Sequence, residues 1–297
     1  MPTDHPVCPG VGRVAGPGGA TSVVAVVPGR GLLPLDRLYR LDHAAADVLD
    51  VVAAGELDAV VVAAEAAPDS AFDPFDGVRF AAPYERPRKI WGIGLNYVEH
   101  AGDLSEKLPE EPASFLKGDH TVIGPGDPIP IPWQSERTTA EAEIGLVIGP
   151  LARDVPREDA LAHVAGVVPV LDQTAEDILQ RNPRFLTRSK NFPGFFSFGP
   201  WIVPLRRYLA GRDLGDVVVR TVLNGGLHRE NVVAAMTYDP AFLVSFHSQV
   251  MPLYPGDIIS TGTPGAVPVA AGDVAEARVD GLPALVNPVV DQPAPPS

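Results

Sequence analysis

A chain of 297 residues, 45% hydrophobic and 20% charged, can bury a substantial core in one large domain, or in one small and one large. Its formal charge of −14 repels phosphate backbones and anionic lipid, which excludes a general nucleic-acid or membrane-surface binder. No run of roughly 18 apolar residues is present to span a bilayer, the single Cys8 forms no internal disulfide, and the first ten residues lack a secretory pattern, so a cytoplasmic location is expected.

In chain order, residues 1–83 carry short apolar runs, Val23 to Val27 and Leu57 to Val62, between Gly- and Pro-rich turns. One helix is predicted there, from an N-cap at Asp42 to Ala54 and Gly55. This is read as a small N-terminal α/β domain. After the basic connector Tyr84 to Lys89, short β-type runs alternate with turn signals such as Asn224-Gly225 and Pro255-Gly256-Asp257. The larger domain, residues 84–290, is therefore predicted to be mainly β with some α. Its clearest helix starts at Asp239-Pro240, with Phe242, Leu243, Phe246 and Val250 on one face. The Pro-rich residues 291–297 read as a disordered tail.

Chemistry concentrates in Glu141-Ala142-Glu143-Ile144-Gly145-Leu146-Val147-Ile148. Ala142, Ile144, Leu146 and Ile148 give a strand one core face, so the period of two puts Glu141 and Glu143 together on the other. Their repulsion must be relieved by solvent, by a proton or by a hard divalent cation. Asp172, after the apolar run Val167 to Leu171, is a candidate third ligand. It is equally readable as the cap of a helix beginning near Thr174, and spacing does not join it to the glutamates. His43, His163 and His228 show no partner pattern, and His247 reads as structural.

Ordered blocks across roughly Lys89 to Val290 resemble the fumarylacetoacetate hydrolase superfamily. They include Gly94-Leu95-Asn96-Tyr97-Val98-Glu99-His100, Phe115-Leu116-Lys117, Glu141-Ala142-Glu143, Asp172, Lys190-Asn191-Phe192 and Thr261-Gly262-Thr263-Pro264. The resemblance implies a rolled, mixed β-sandwich, a homodimer, and Mg²⁺ or Mn²⁺ on Glu141, Glu143 and Asp172 in its mouth. It further implies Lys117 and Lys190 near a small anionic 2-oxo acid, with Lys190 in a catalytic role. Asn96, Tyr97, Gln180 and Thr263 complete the candidate substrate contacts. For hydrolysis, His100 is the expected base, oriented by Asp103 three residues later.

C–C bond cleavage, keto–enol tautomerisation and decarboxylation all pass through an enolate, whose charge a divalent cation stabilises. The first expectation is cleavage of a C–C bond in an acylpyruvate-like substrate. The second is an isomerase, tautomerase or decarboxylase of a 2-oxo acid such as oxaloacetate, and the third is a silent binding protein of the same fold. Several departures from the family pattern bear on this choice. Asp103 stands where Glu is usual, Glu176 where Arg is usual, and Pro193 where a carboxylate is often found; Arg181, Arg184 and Arg188 are candidate substitutes for the missing positive charge.

Overall fold

The structure, a computed structural model, describes residues 6–38, 47–97 and 110–294. The predicted cap Asp42, His43, and the proposed pair His100 and Asp103 lie outside the described residues.

The first strands, β1 (Gly10–Ala15), β2 (Thr21–Val27) and β3 (Gly31–Pro34), form an antiparallel ribbon that β4 (Arg79–Ala81) joins on β1. Between them, helix Val48–Ala53 starts at a capping box: Asp47 accepts from the Leu49 amide at 2.9 Å, and Asp50 accepts from the Asp47 amide. The run from Leu57, read above as β-type, is instead the helix Leu57–Ala66. Leu57, Val60, Val61 and Ala64 are buried at helical spacing and pack on β1 and β2. A six-residue run with five apolar positions is compatible with either structure, and the packing surface decides for the helix.

Next come β5 (Ile90–Gly94), β6 (Ala113–Lys117), β7 (Val122–Ile123), β8 (Ile129–Ile131), β9 (Thr138–Ile148) and β10 (Val164–Ala175). After helices Glu176–Arg181 and Leu186–Lys190 follow β11 (Phe196–Phe198), β12 (Trp201–Pro204), β13 (Val218–Leu223) and β14 (Gly226–Val232). Helix Pro240–Val250 then leads to β15 (Ile258–Ser260), β16 (Val267–Pro268), β17 (Val274–Val279) and β18 (Leu285–Asp291).

Among the described residues these strands make a thirteen-stranded sheet, with backbone order β3-β2-β1-β12-β10-β9-β15-β5-β6, and a five-stranded sheet ordered β14-β13-β17-β18-β8. The N-terminal ribbon enters the large sheet through β1, paired antiparallel with β12 at Val11 and Ile202. Strand β9 is buried along all eleven residues, with β10 at its side and β13 and β17 packed against it. This gives the expected mixed fold, strand-rich with helices at its margins. No helix of the described residues is long and apolar enough to cross a membrane.

Helix Pro240–Val250 is capped by Asp239, which accepts from the Phe242 amide at 2.8 Å. Its inner face is not the one expected. Leu243, Val244, His247 and Ser248 are buried, whereas Val250 is 54% exposed and Phe242 and Phe246 are half-buried. Hydroxyls allow this turn of the helix: Ser245 donates to the Val155 carbonyl at 2.7 Å and Ser248 accepts from its amide at 2.9 Å. His247 is structural, as expected. Its Nδ1 meets the Leu243 carbonyl at 2.7 Å and its Nε2 the Ser114 hydroxyl at 2.7 Å, and burial pushes its pKa down.

Candidate metal centre

Glu141 and Glu143 point from one face of β9, and Asp172 sits on β10 directly opposite Glu141 in the strand register. Strand β10 runs three residues beyond Asp172, and the helix after it begins at Glu176 with Ala175 as an uncapped N-cap. Asp172 is thus no cap. The three residues offer carboxylate oxygens all within 4.8 Å of one another, and each is at most 6% exposed.

The sheet opens beside them. Strand β15 pairs with β9 at Gly145 to Val147 and β16 at Thr139 and Ala140, so the turn from Thr261 to Ala266 passes Glu141 and Glu143. Ser260 donates its hydroxyl to Glu143 Oε2 at 2.5 Å, and the Gly262 amide donates to the same oxygen at 2.8 Å. Gly262 has φ +101°, and a Cβ there would lie 2.8 Å from that of Asn96, so only glycine fits. Thr139 and Thr174, opposite one another, both donate to Glu141 Oε1, at 2.9 and 2.5 Å. None of these four supports was foreseen. The position of Thr139, two residues before Glu141 on one strand face, was the available signal.

Both predicted lysines are at the centre. Lys190 Nζ donates to Glu141 Oε2 at 2.9 Å and to Asp172 Oδ2 at 2.6 Å, while Lys117 Nζ pairs with Asp172 Oδ1 and reaches the Gln173 carbonyl at 3.2 Å. Two ammoniums against three carboxylates leave a formal charge of −1. Burial, reinforced by Asp172 and Glu141, lifts the Glu143 carboxyl to about 8. Burial lowers Lys117 to about 8 against the pull of Asp172. Burial alone would also lower Lys190, but Asp172, Glu141 and Glu143 outweigh it and hold that ammonium above its ordinary value.

Converging hard oxygen donors with a residual negative charge, one of them pushed toward its protonated form by burial and by its anionic neighbours, match what a divalent cation requires. The donor set therefore fits Mg²⁺ or Mn²⁺.

The other predicted contacts divide. Tyr97 is fully buried, its hydroxyl has no partner among the described residues, and burial together with the Glu143 charge raises its pKa. Thr263 is buried, and among the described residues its hydroxyl engages only Gly265, at 3.2 to 3.3 Å. Asn96 instead ties the walls together: Nδ2 donates to the carbonyls of Tyr238 and Thr261, and Oδ1 accepts from the Tyr238 amide. Both its amide hydrogens are used by the fold, where the sequence had pointed to a substrate contact. Gln180 is exposed and donates to Glu176 at 3.0 Å.

The fumarylacetoacetate (FAA) hydrolase C-terminal family matches residues 89–290, a span that contains the whole centre. The chain belongs to the fumarylacetoacetate hydrolase family. Among its relatives is a mitochondrial oxaloacetate tautomerase of Xenopus laevis, 34% identical over 222 residues, covering 72% of this chain and 69% of that protein. Two solved members of the family share the fold over almost all of this chain. One is a 5-carboxymethyl-2-hydroxymuconate delta-isomerase from Mycobacterium smegmatis, with TM-score 0.74, 30% identity, and coverage of 96% of this chain and 100% of that one. The other is a maleylpyruvate hydrolase from Sphingobium sp. SYK-6 in complex with manganese (II) ion and pyruvate, with TM-score 0.78, 26% identity, and coverage of 96% and 100%. Enzymes of this family thus differ in reaction while sharing the fold.

Proposed function

We propose that the chain is a divalent-metal-dependent enzyme that interconverts the keto and enol forms, or double-bond isomers, of a small 2-oxo acid. The observation that carries this reading is the buried pair of lysines with opposed proton affinities on one carboxylate centre. Glu141, Glu143 and Asp172 would hold the cation, which when bound would supply Lewis-acid stabilisation of the negative charge that develops on the keto oxygen of such an acid.

The protein's own groups supply the rest. Lys190, held charged between Glu141 and Asp172, favours the enolate over the keto form, which carries one negative charge fewer. Burial lowers the proton affinity of Lys117 Nζ, which suits it to move a proton between carbon and oxygen. The buried Tyr97 hydroxyl is a further donor toward the bound acid. All three carboxylates are buried, and low polarity around them strengthens each of these interactions.

C–C bond cleavage, the first expectation from the sequence, shares the enolate but needs an activated water. The resemblance to the maleylpyruvate hydrolase favours it, and its proposed base His100 lies outside the described residues. Homodimer formation rests on the family resemblance and is read by light scattering.

The deciding experiment follows enol–keto exchange of oxaloacetate by ultraviolet absorbance with Mg²⁺ or Mn²⁺, beside cleavage of an acylpyruvate. Exchange that EDTA abolishes and Lys117→Met depresses is the expected result. Cleavage without exchange would replace this reading with hydrolysis, and turnover that survives EDTA would end the metal-dependent one.

A further inference from the structure

From the carboxylate centre a ladder of polar side chains runs outward along β9 and β10. Register pairs Glu141 with Asp172 and Thr139 with Thr174, and residues two apart share a face. The next rung is Arg137 and Glu176. The Glu176 amide donates to the Arg137 carbonyl at 2.8 Å, which continues the antiparallel pattern one step beyond β9. Four residues of strand separate Arg137 from Glu141, roughly 13 Å at the rise of an extended chain.

The outer rung is built to hold a guanidinium in one place. Arg137 Nε donates to Glu176 Oε2 at 2.5 Å, and Gln180 donates to Glu176 Oε1 at 3.0 Å. The Glu176 side chain is 11% exposed, that of Arg137 51%. The hydrogen-bonded atom is Nε: Arg137 Nη1 and Nη2 make no hydrogen bond with any described residue. They are the edge of the guanidinium that takes a carboxylate through two parallel bonds. The departure at Glu176 noted in the sequence is therefore an ion pair with Arg137, and it leaves a directed cation on the same sheet face as the centre.

Charge says what that cation is for. Three carboxylates, two lysines and a divalent cation sum to +1, which the carboxylate of a 2-oxo acid neutralises. A second carboxylate on the substrate would find no cation left at the centre. We propose that Arg137, positioned by Glu176, recognises the distal carboxylate of a 2-oxo diacid and thereby sets this enzyme's preference for diacids over monoacids.

This inference rests on the 2-oxo-acid reading above, and its test separates the two. Calorimetric titration of the Mn²⁺-loaded protein with 2-oxoadipate and with 2-oxohexanoate compares acids that differ only at the far end. The wild type should bind the diacid more tightly by about tenfold to a hundredfold, the weight of a charge-assisted hydrogen-bonded pair. Arg137→Gln should collapse that ratio toward one, Arg137→Lys should restore it in part, and Glu176→Gln should reduce it by freeing the guanidinium. Melting curves of the three variants matching the wild type show that the fold is intact. Equal binding of both acids by the wild type, or a ratio preserved in Arg137→Gln, overturns this inference and leaves the 2-oxo-acid reading standing. Binding of neither acid by protein that takes up Mn²⁺ overturns both.

Discussion

Lys190 lies between Glu141 and Asp172 and is the one ammonium that touches both. Replacing it by Met keeps the length of the side chain and removes the charge, so the developing negative charge on a bound 2-oxo acid loses a fixed partner. Activity should fall by roughly a hundredfold, the usual effect of deleting one such electrostatic group, with kcat affected more than KM. An equal loss in KM alone would make Lys190 a binding group only. Gly262 is the other sensitive residue, since its positive φ and its closeness to Asn96 both forbid a side chain. Gly262→Ala should cost about 1–3 kcal/mol of stability, and it should weaken metal uptake, because the Gly262 amide is one of the two groups that orient Glu143. Urea unfolding with and without Mn²⁺ reads both effects.

Elements were legible where local pattern and tertiary packing agreed. The alternation in Glu141 to Ile148 placed both glutamates on one strand face, and Asp239-Pro240 announced its helix, because each signal is complete within a few residues. That cap accounts for its own test: Asp239→Ala should lower stability by about 1 kcal/mol and leave enol–keto exchange within a factor of a few, as measured by thermal melting and by turnover. What stayed illegible depended on distant chain. The Leu57 run became a helix because β1 and β2 offered it a surface. Asp172 became a mid-strand residue because β10 continued along β9 to Ala175. Local spacing could not reveal that Lys117 of β6 and Lys190, at the end of its helix, meet on one carboxylate, nor that Glu176 would find its partner in Arg137, 39 residues earlier. Family resemblance, not periodicity, named the lysines in advance.

For the molecule as a whole, the proposed metal centre would couple folding, protons and metal. Its three carboxylates come from β9 and β10 in the middle of the thirteen-stranded sheet, and Glu143 is bonded to the turn that follows β15, so a cation there would tie three segments that the unfolded chain leaves apart. Whatever binds the folded state alone stabilises it, by about 2.7 kcal/mol at a hundredfold excess over Kd, and the melting temperature should rise with Mn²⁺ or Mg²⁺ and return on adding EDTA. The pH dependence of that rise has a definite sign. Glu143 titrates at about 8, above its ordinary 4.5. In the metal-free protein its proton therefore favours folding fully below the ordinary value, and that contribution is lost as pH climbs through about 8. A cation must displace the same proton, so uptake should weaken about tenfold for each pH unit below about 8. The thermal shift caused by Mn²⁺ should accordingly be small near pH 6 and approach its full size near pH 8. In Glu143→Gln it should be small at both, since the amide neither gives up a proton nor supplies a charged oxygen. A wild-type shift of equal size at the two pH values would mean that Glu143 is already ionised at pH 6, and that the cation does not compete with a proton at this centre.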